Sequence, residues 1–396
     1  MTPQDDRRTF GQVVRSLRER AGRTRPEFAR ACRTAESHLR NIENGHKSPG
    51  ADLLRDLEQQ LGTQGLLTDL ARSRGAPMRR RIILQSLALM GATIAEAAPD
   101  AAAASPQLAA LQAMTASLRD LDNRHGGAHA NWSIVAYLQN MALPMLGNTS
   151  GDERPHMFSA VAELALLAGW SAFDAGVQGA ARAYFGQALD LAREAGNRAL
   201  ACETIIAASN RAAIAGDATE AVDAATAALA AAEDVGDAAL VGEARMALAH
   251  GHALAGDEAA AAAAIVAAHN DFDRADRPDG PDWIQHVGEA WLDGRVAQCM
   301  YLLGDTANAV DAAERTVANS RPGPRGLVLN TGHSALVMFA AEEPERAARY
   351  AGDALAAASM IQSARVDEYM MRLEVAADRY SAVPEVAELQ AALAAR

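Results

Sequence analysis

Apolar positions recur at helical spacing along most of the chain. Near the start, Phe10, Val13, Val14 and Leu17 mark an amphipathic helix ending at Ala21-Gly22. Thr24-Arg25-Pro26-Glu27 has the form of a capping box with proline early in the helix, and it opens a second helix carrying Phe28, Ala29 and Ala31. Cys32-Arg33 is left as a tight turn. Thr34 then reads as the N-cap of a third helix, with Ala35, Leu39 and Ile42 as its apolar stripe. Glu36, Ser37, Arg40, Asn41 and Asn44 fall on the opposite face, and Gly45 stops the helix as glycine does where the chain turns left-handed. Ser48-Pro49 reads as N-cap and first position of a fourth helix with Leu53, Leu54, Leu57 and Leu61. A domain of five short helices around one small core is a helix-turn-helix. A short helix with a thin buried stripe and a hydrogen-bonding face suits a major groove.

Beyond residue 106 the periodicity returns with Leu108, Leu111, Leu118 and Leu121, then Trp132, Val135, Leu138 and Met141. His125-Gly-Gly-Ala-His129 between them reads as a turn rather than a metal site. From about Met157 the chain repeats itself. Gly176, Gly216, Gly256 and Gly304 start short loops, and Glu342 holds the equivalent place in a fifth unit, at separations of 40, 40, 48 and 38 residues. The long interval is explained by Asp271–Asp282, which reads as a loop. Fixed offsets agree across the five units. Ala181, Ala221, Ala261, Ala309 and Ala347 follow the anchors, and Ala188, Ala228, Ala268, Thr316 and Ala354 stand further on. Gly169, Ser209, Ala249, Ala297 and Ala335 precede them. Small residues are needed where two antiparallel helices approach closely.

On the first helix of each unit one stripe carries Trp170, Asn210, His250, Gln298 and Leu336, and another Glu163, Glu203, Glu243, Trp291 and Leu329. Polar ends flanked by tryptophans suit a peptide or a small amphipathic ligand. Arg211, Arg295 and His333 lie beside the stripe, where a carboxylate could be held. The alternative for these positions is a solvated face that binds nothing.

Composition sharpens this picture in three places. With 49% apolar and 4% aromatic residues, the chain favours closely packed helices over sheets. The net charge of −13 is uneven: residues 1–81 hold 17 basic and 10 acidic groups, and the rest 20 and 40. A basic head (+7) on an acidic body (−20) suits a DNA-binding module joined to a sensor. Cys32, Cys202 and Cys299 stand far apart without metal-ligand spacing and read as reduced thiols of a cytoplasmic protein. Met78-Arg79-Arg80-Arg81 and the apolar run after it look like an export signal. They follow a complete domain, and the run is too short for a membrane span, so they read as a basic linker. No P-loop, dinucleotide turn, HExxH or nucleophile elbow is present, so an enzyme is not expected, nor a cofactor or metal.

Phe10–Gly62 resembles the phage-repressor (Xre/Cro) helix-turn-helix family, on LRERAG at Leu17–Gly22, Thr24–Ala29 and IENGHKSP at Ile42–Pro49. The resemblance implies Glu36, Ser37 and Asn41 as base readers, with Arg40, His46 and Lys47 near phosphates. Arg25 stands where the family often has a phosphate-holding Gln, and Glu36 departs from the family pattern. Thr34 and Asn44 complete the expected DNA-facing set. Residues 157–380 resemble the tetratricopeptide repeat, with units longer than its usual ~34 residues and with most aromatic positions replaced by Ala.

The expected fold is therefore all-α: an N-terminal five-helix helix-turn-helix domain (8–75), a helical linker (76–106) and a C-terminal tetratricopeptide-like α-solenoid (107–396). That order of parts resembles the peptide-responsive regulators of Gram-positive bacteria and the longer Xre-type regulators of actinomycetes; composition fits the second better. The resemblance implies a homodimer that places two heads on a double-stranded DNA operator and answers to a peptide or small-molecule effector. A protein-interaction scaffold or anti-regulator with a vestigial head is the alternative.

Overall fold

The computed structural model describes residues 3–63, 66–72, 106–275, 283–284, 286–319 and 323–396. Every regular element among them is helical. The head comprises α1 (Pro3–Arg20), α2 (Arg25–Ala31), α3 (Glu36–Glu43), α4 (Ala51–Leu61) and α5 (Leu66–Arg72). Phe10, Val14, Phe28, Ala29, Leu39, Ile42, Leu57 and Leu67 form its core. The basic linker and the Pro99–Pro106 break fall almost wholly outside the described residues.

Three local expectations in the head shift. Arg33 takes a left-handed backbone (φ +51°), and the Thr34 N–H closes α2 on the Ala29 carbonyl at 2.9 Å. That lengthens the turn by one residue, so Ala35, not Thr34, is the N-cap of α3. Ala35 is consequently exposed and outside the buried stripe. The fourth helix begins at Ala51 behind Gly50, two residues later than Ser48-Pro49 implied. Gly45 behaves as expected, at φ +73°.

The array opens with α6 (Pro106–His125) and α7 (Gly127–Tyr137), followed by a π-helical turn at Leu138–Ala142 and α8 (Leu143–Leu146). The wider turn changes which side chains face inward. Leu138 and Ala142 are buried and Met141 is left exposed, while Trp132, in α7 ahead of that turn, lies off the buried face of Ala130, Ile134 and Val135. Five antiparallel pairs follow. They are α9 (Glu153–Asp174) with α10 (Gln178–Glu194), α11 (Arg198–Ile214) with α12 (Ala218–Val235), and α13 (Ala238–Ala255) with α14 (Glu258–Phe272). Next come α15 (Glu289–Leu303) with α16 (Thr306–Asn319) and α17 (Pro324–Ala340) with α18 (Pro344–Ala358), before α19 (Ala364–Ala377) and α20 (Pro384–Ala394).

All five anchors lie between the paired helices with positive φ, and Glu342 at +61° copies its four glycine counterparts. The three small-residue columns are buried throughout. At Gly169 an added Cβ would stand 2.5 Å from the Phe185 ring, which is why the smallest residue sits at that crossing. The expected loop Asp271–Asp282 starts later than its sequence suggested: Asp271 and Phe272 end α14, and Asp271 is buried against Arg245 at 2.7 Å. Residues 276–282 lie outside the described set. α9 is long and apolar enough to cross a membrane, but 78% of that stretch is buried inside the protein, so it is a core helix.

The array also closes on itself. The Gln362 N–H donates to the His125 carbonyl (2.8 Å), and the Gln362 carbonyl accepts from the Ala128 N–H (3.0 Å). Ser363 Oγ donates to Asp174 Oδ1 at 2.8 Å. Arg325 pairs with Asp122 at 2.6 Å and approaches Asp174 at 3.6 Å. The two glycines between His125 and His129 make this contact possible, because a Cβ on Gly126 would lie 2.4 Å from the Gln362 carbonyl oxygen. The last units therefore return to the first.

Candidate functional site

Helix α3 is held from behind by α1 and α2. Gly11 lets α1 cross the C-terminal end of α3 so closely that a Cβ there would lie 2.2 Å from the Ile42 carbonyl oxygen. Beside that crossing, the fully buried Glu43 carboxylate receives Arg18 Nε at 2.6 Å and Arg25 Nε at 2.8 Å. The bond to Glu43 is the chief reason the Arg18 guanidinium is pushed above its ordinary value. The capping box forms as expected: Glu27 accepts from the Thr24 N–H at 3.0 Å and from its hydroxyl at 2.6 Å. These bonds pull the Glu27 carboxyl below the usual carboxylate range. Arg33 reaches across the turn to Asp56 at 2.5 Å. The turn and both flanking helices thus fix how α3 is presented.

The outward face of α3 exposes Ser37, Arg40 and Asn44, with His46 and Lys47 exposed just beyond it. Asn41 is half-buried, and its carbonyl accepts from the His46 N–H (2.8 Å) and the Lys47 N–H (3.1 Å), which fixes that loop against the helix. Glu36 pairs with Arg40 at 3.2 Å across one turn. Such an exposed pair contributes little stability, so both ends are free to exchange partners. Arg25, expected to hold a phosphate, instead faces inward to Glu43 and stays partly exposed. Thr34 sits half-buried in the turn. The sequence reading missed Gly11, Arg18 and Glu43, whose roles appear only when α1 crosses α3.

In the array, the expected stripe divides. His250, Gln298 and His333 come together with Tyr301, Arg365, Glu368, Tyr369 and Arg372 around a cavity of about 170 Å³. Ala213, Ile214, Leu254 and Leu302 supply its apolar wall. Arg295 stacks on Trp291 at 5.4 Å and donates to Gln298 at 3.2 Å. Burial, then the charge of Arg295, pushes the His250 imidazole down to about 3. Burial, then Arg372, pushes His333 down to about 4. Both rings are neutral at physiological pH.

Other stripe residues are used differently. Arg211 is 1% exposed and ion-paired with Glu220, so it cannot meet a ligand. Glu203 and Glu243 are buried and face one another. Burial, then the Glu243 charge, holds the Glu203 carboxyl well above its ordinary value. Glu243 is bonded to His286 at 3.1 Å. Asn210 is buried as well. Trp170 packs edge-on against Phe185 at 5.5 Å, and Trp291 against Phe272 at 6.0 Å. These side chains are packed into the structure rather than offered to the cavity. Arg365, Glu368, Tyr369 and Arg372 all come from α19, beyond the five aligned units though within the 157–380 stretch, and none of the aligned columns pointed to them.

Residues 9–71 match the family described as "Helix-turn-helix domain". The head is a helix-turn-helix domain. The match ends within α5, leaving the array outside it. No curated protein matches the chain. Among solved structures, a similar one is the crystal structure of Bacillus thuringiensis PlcR in complex with the peptide PapR7 and DNA. It shares 11% identity, with 67% of this chain and 95% of that chain covered, at a TM-score of 0.26. A likeness of that size carries no argument about this chain. The helix-turn-helix head does not stand apart from the array: Asp69 on α5 accepts the Gly179 N–H at 2.6 Å, in the first turn of α10.

Proposed function

We propose that this protein is a cytoplasmic, sequence-specific, DNA-binding transcriptional regulator whose helical array dimerises and senses a ligand. We divide it into a DNA-binding domain (8–75), a linker (76–106) and a sensor and dimerisation array (107–396). The observation that carries the reading is the outward face of α3. On a helix-turn-helix domain, Ser37, Arg40 and Asn44 stand exposed with His46 and Lys47 beside them, on the basic end of an otherwise acidic chain. In this reading Ser37, Asn41 and Glu36 face base edges, Arg40, His46 and Lys47 face phosphates, and Arg25 adds a phosphate contact from the edge of its Glu43 pair. A dimer would set two α3 helices one helical turn of DNA apart, or a multiple of it. The effector, a peptide or a small molecule, would act through the array.

Fluorescence anisotropy of the full-length protein tests this reading, on DNA from upstream of its own gene and on random DNA across a salt series. Selective binding with a steep salt slope is expected. Equal, weak binding to both DNAs, repeated with random-pool selection on the full chain, would instead support a scaffold with a vestigial head.

A further inference from the structure

The cavity bordered by α11, α13, α15, α17 and α19 holds an unusual imbalance of charge. Across the array, arginines generally meet carboxylates: Arg325 meets Asp122, Arg315 meets Asp293 and Arg245 meets Asp271. Arg295, Arg365 and Arg372 meet none within 4 Å among the described residues. They rest instead on aromatic faces, those of Trp291, Phe173 and Tyr369 respectively, each at 5.4 Å. Glu368, which is exposed, is the one carboxylate among the residues lining the cavity. In a body of net charge −20, two lining arginines and a third beside them, none ion-paired within 4 Å among the described residues, are not a product of composition.

A second, independent observation lies in the same walls. His250 and His333 are each 6% exposed, and His250 Nδ1 and His333 Nε2 have no hydrogen-bond partner. Arg365 Nε is likewise buried and unpartnered. Folded proteins satisfy the large majority of buried polar atoms, so three orphans around one cavity indicate a missing polar partner. The two imidazoles are neutral, so each carries one N–H donor and one acceptor nitrogen.

We propose that this cavity binds a compact organic oxyanion, a carboxylate or a phosphate monoester with a small apolar body. Arg365 and Arg372 clamp the anionic group, and Ile214, Leu254 and Leu302 receive the rest. A guanidinium fork matches either oxyanion, and its contacts strengthen where water is excluded. His250, His333 and Gln298 supply neutral hydrogen bonds that set orientation. The volume of about 170 Å³ fits a small molecule better than an extended peptide. Arg365 also lies on Phe173 of α9, next to the Ser363–Asp174 bond that closes the array. An occupant of the cavity therefore touches the element that makes the closure. This inference rests on the sensor reading above and names the class of effector.

The test uses full-length protein at constant ionic strength in chloride. Benzoate and phenyl phosphate are the probes, with benzamide as the neutral control; binding is read by calorimetry and by the melting temperature. One oxyanion, or both, is expected to raise the melting temperature by roughly 2–4 °C at ten times its dissociation constant, with no effect of benzamide. Comparison of the two probes separates carboxylate from phosphate. R365Q/R372Q should abolish the response, while R349Q, on the outer helix α18, should retain it. If the double variant fails to fold, Q298E carries the test, because a carboxylate placed in the wall should repel either probe. No response in the native protein, or a response that survives both R365Q/R372Q and Q298E, overturns the proposal. Anisotropy on operator DNA with and without the bound probe keeps the two readings apart. Oxyanion binding that leaves DNA affinity unchanged upholds the site and removes the sensor role.

Discussion

Closure of the array includes one cation between two acids, and Arg325→Met tests what that cation contributes. Asp122 and Asp174 side chains are each 2% exposed, and Arg325 is the only counter-ion paired with either among the described residues. The two acids would not suffer equally. Asp174 would keep the Gly127 N–H at 2.7 Å and the Ser363 hydroxyl at 2.8 Å. Asp122 would be left with neither oxygen on a cation, and its Oδ1 already lacks a partner. Removing one member of a buried ion pair costs about 3–5 kcal/mol, because the other charge stays buried. The loss should depend on pH. Burial already raises the Asp122 carboxyl above its ordinary value while Arg325 opposes the shift, so removing Arg325 raises it further. A folded-state value above the unfolded one costs nothing below the unfolded value of 3.8 and costs more as pH rises above it. The variant should therefore be weakest at neutral pH and approach the parent near pH 4. Adding Asp122→Asn should recover most of the loss, since an amide needs no counter-ion. The assay is urea unfolding read by tryptophan fluorescence, which reports the array alone because Trp132, Trp170, Trp283 and Trp291 all lie beyond the head. A neutral-pH loss under about 1 kcal/mol, or no recovery with Asp122→Asn, would refute the electrostatic account of closure.

Four further outcomes follow from other parts of the molecule. Gly11→Ala forces a methyl into the Ile42 and Glu43 carbonyls and should destabilise the head by about 1–3 kcal/mol or more, seen as lost amide-exchange protection in α1 and α3 with the array unchanged. Arg40→Ala should weaken binding to operator and random DNA alike and flatten the salt slope. Asn41→Ala should cost about 1–3 kcal/mol on operator alone, and equal effects of the two on both DNAs would reverse the assignment. Glu203→Gln should match the parent's stability below about pH 4.5 and exceed it increasingly as pH rises, because the parent must then ionise a carboxyl held above its unfolded value; a pH-independent difference would argue against it.

What the sequence made legible was local. Helical period, the Thr24 capping box and the Gly45 stop need only neighbouring residues, and they placed the head. Repetition placed the array, since Ala181, Ala221, Ala261, Ala309 and Ala347 recur for a packing reason that acts once per unit. Even the substitution of Glu342 for glycine was legible, and the backbone there is as left-handed as at the glycines. Failures began where the answer depended on chain from elsewhere. Arg211 and Arg295 look alike in sequence, but Arg211 has Glu220 nine residues away, whereas Arg295 pairs with no acid within 4 Å among the described residues and stacks on Trp291 instead. Met141 fits the simple period until a π-turn changes it. The cavity takes Arg365, Glu368, Tyr369 and Arg372 from α19, which lies beyond the five aligned units, and the closure joins residues as far apart as His125 and Gln362.

Closure changes what an effector can do. An open solenoid can change curvature a little at every helix pair, and a ligand in its groove could bend it gradually. Here the ends are joined by Arg325 between Asp122 and Asp174, by Ser363 on Asp174 and by the Gln362 backbone on His125 and Ala128. A change of curvature must either break those bonds or be absorbed within a closed ring, which favours two discrete arrangements over a continuum. A cavity ligand held by Arg365 and Arg372 would bind the arrangement in which α19 lies in place, and it can shift the equilibrium only by its preference for that state. The head is reached through α5, whose Asp69 caps α10 in the first pair, and α9 of that same pair carries Asp174. The element that receives the closure is thus one helix away from the element that holds the head. If cavity occupancy changes DNA affinity, loss of the Asp69–Gly179 bond in Asp69→Ala should weaken that dependence while leaving oxyanion binding to the cavity intact. Coupling that persists in full in Asp69→Ala would show that the signal reaches the head by another contact.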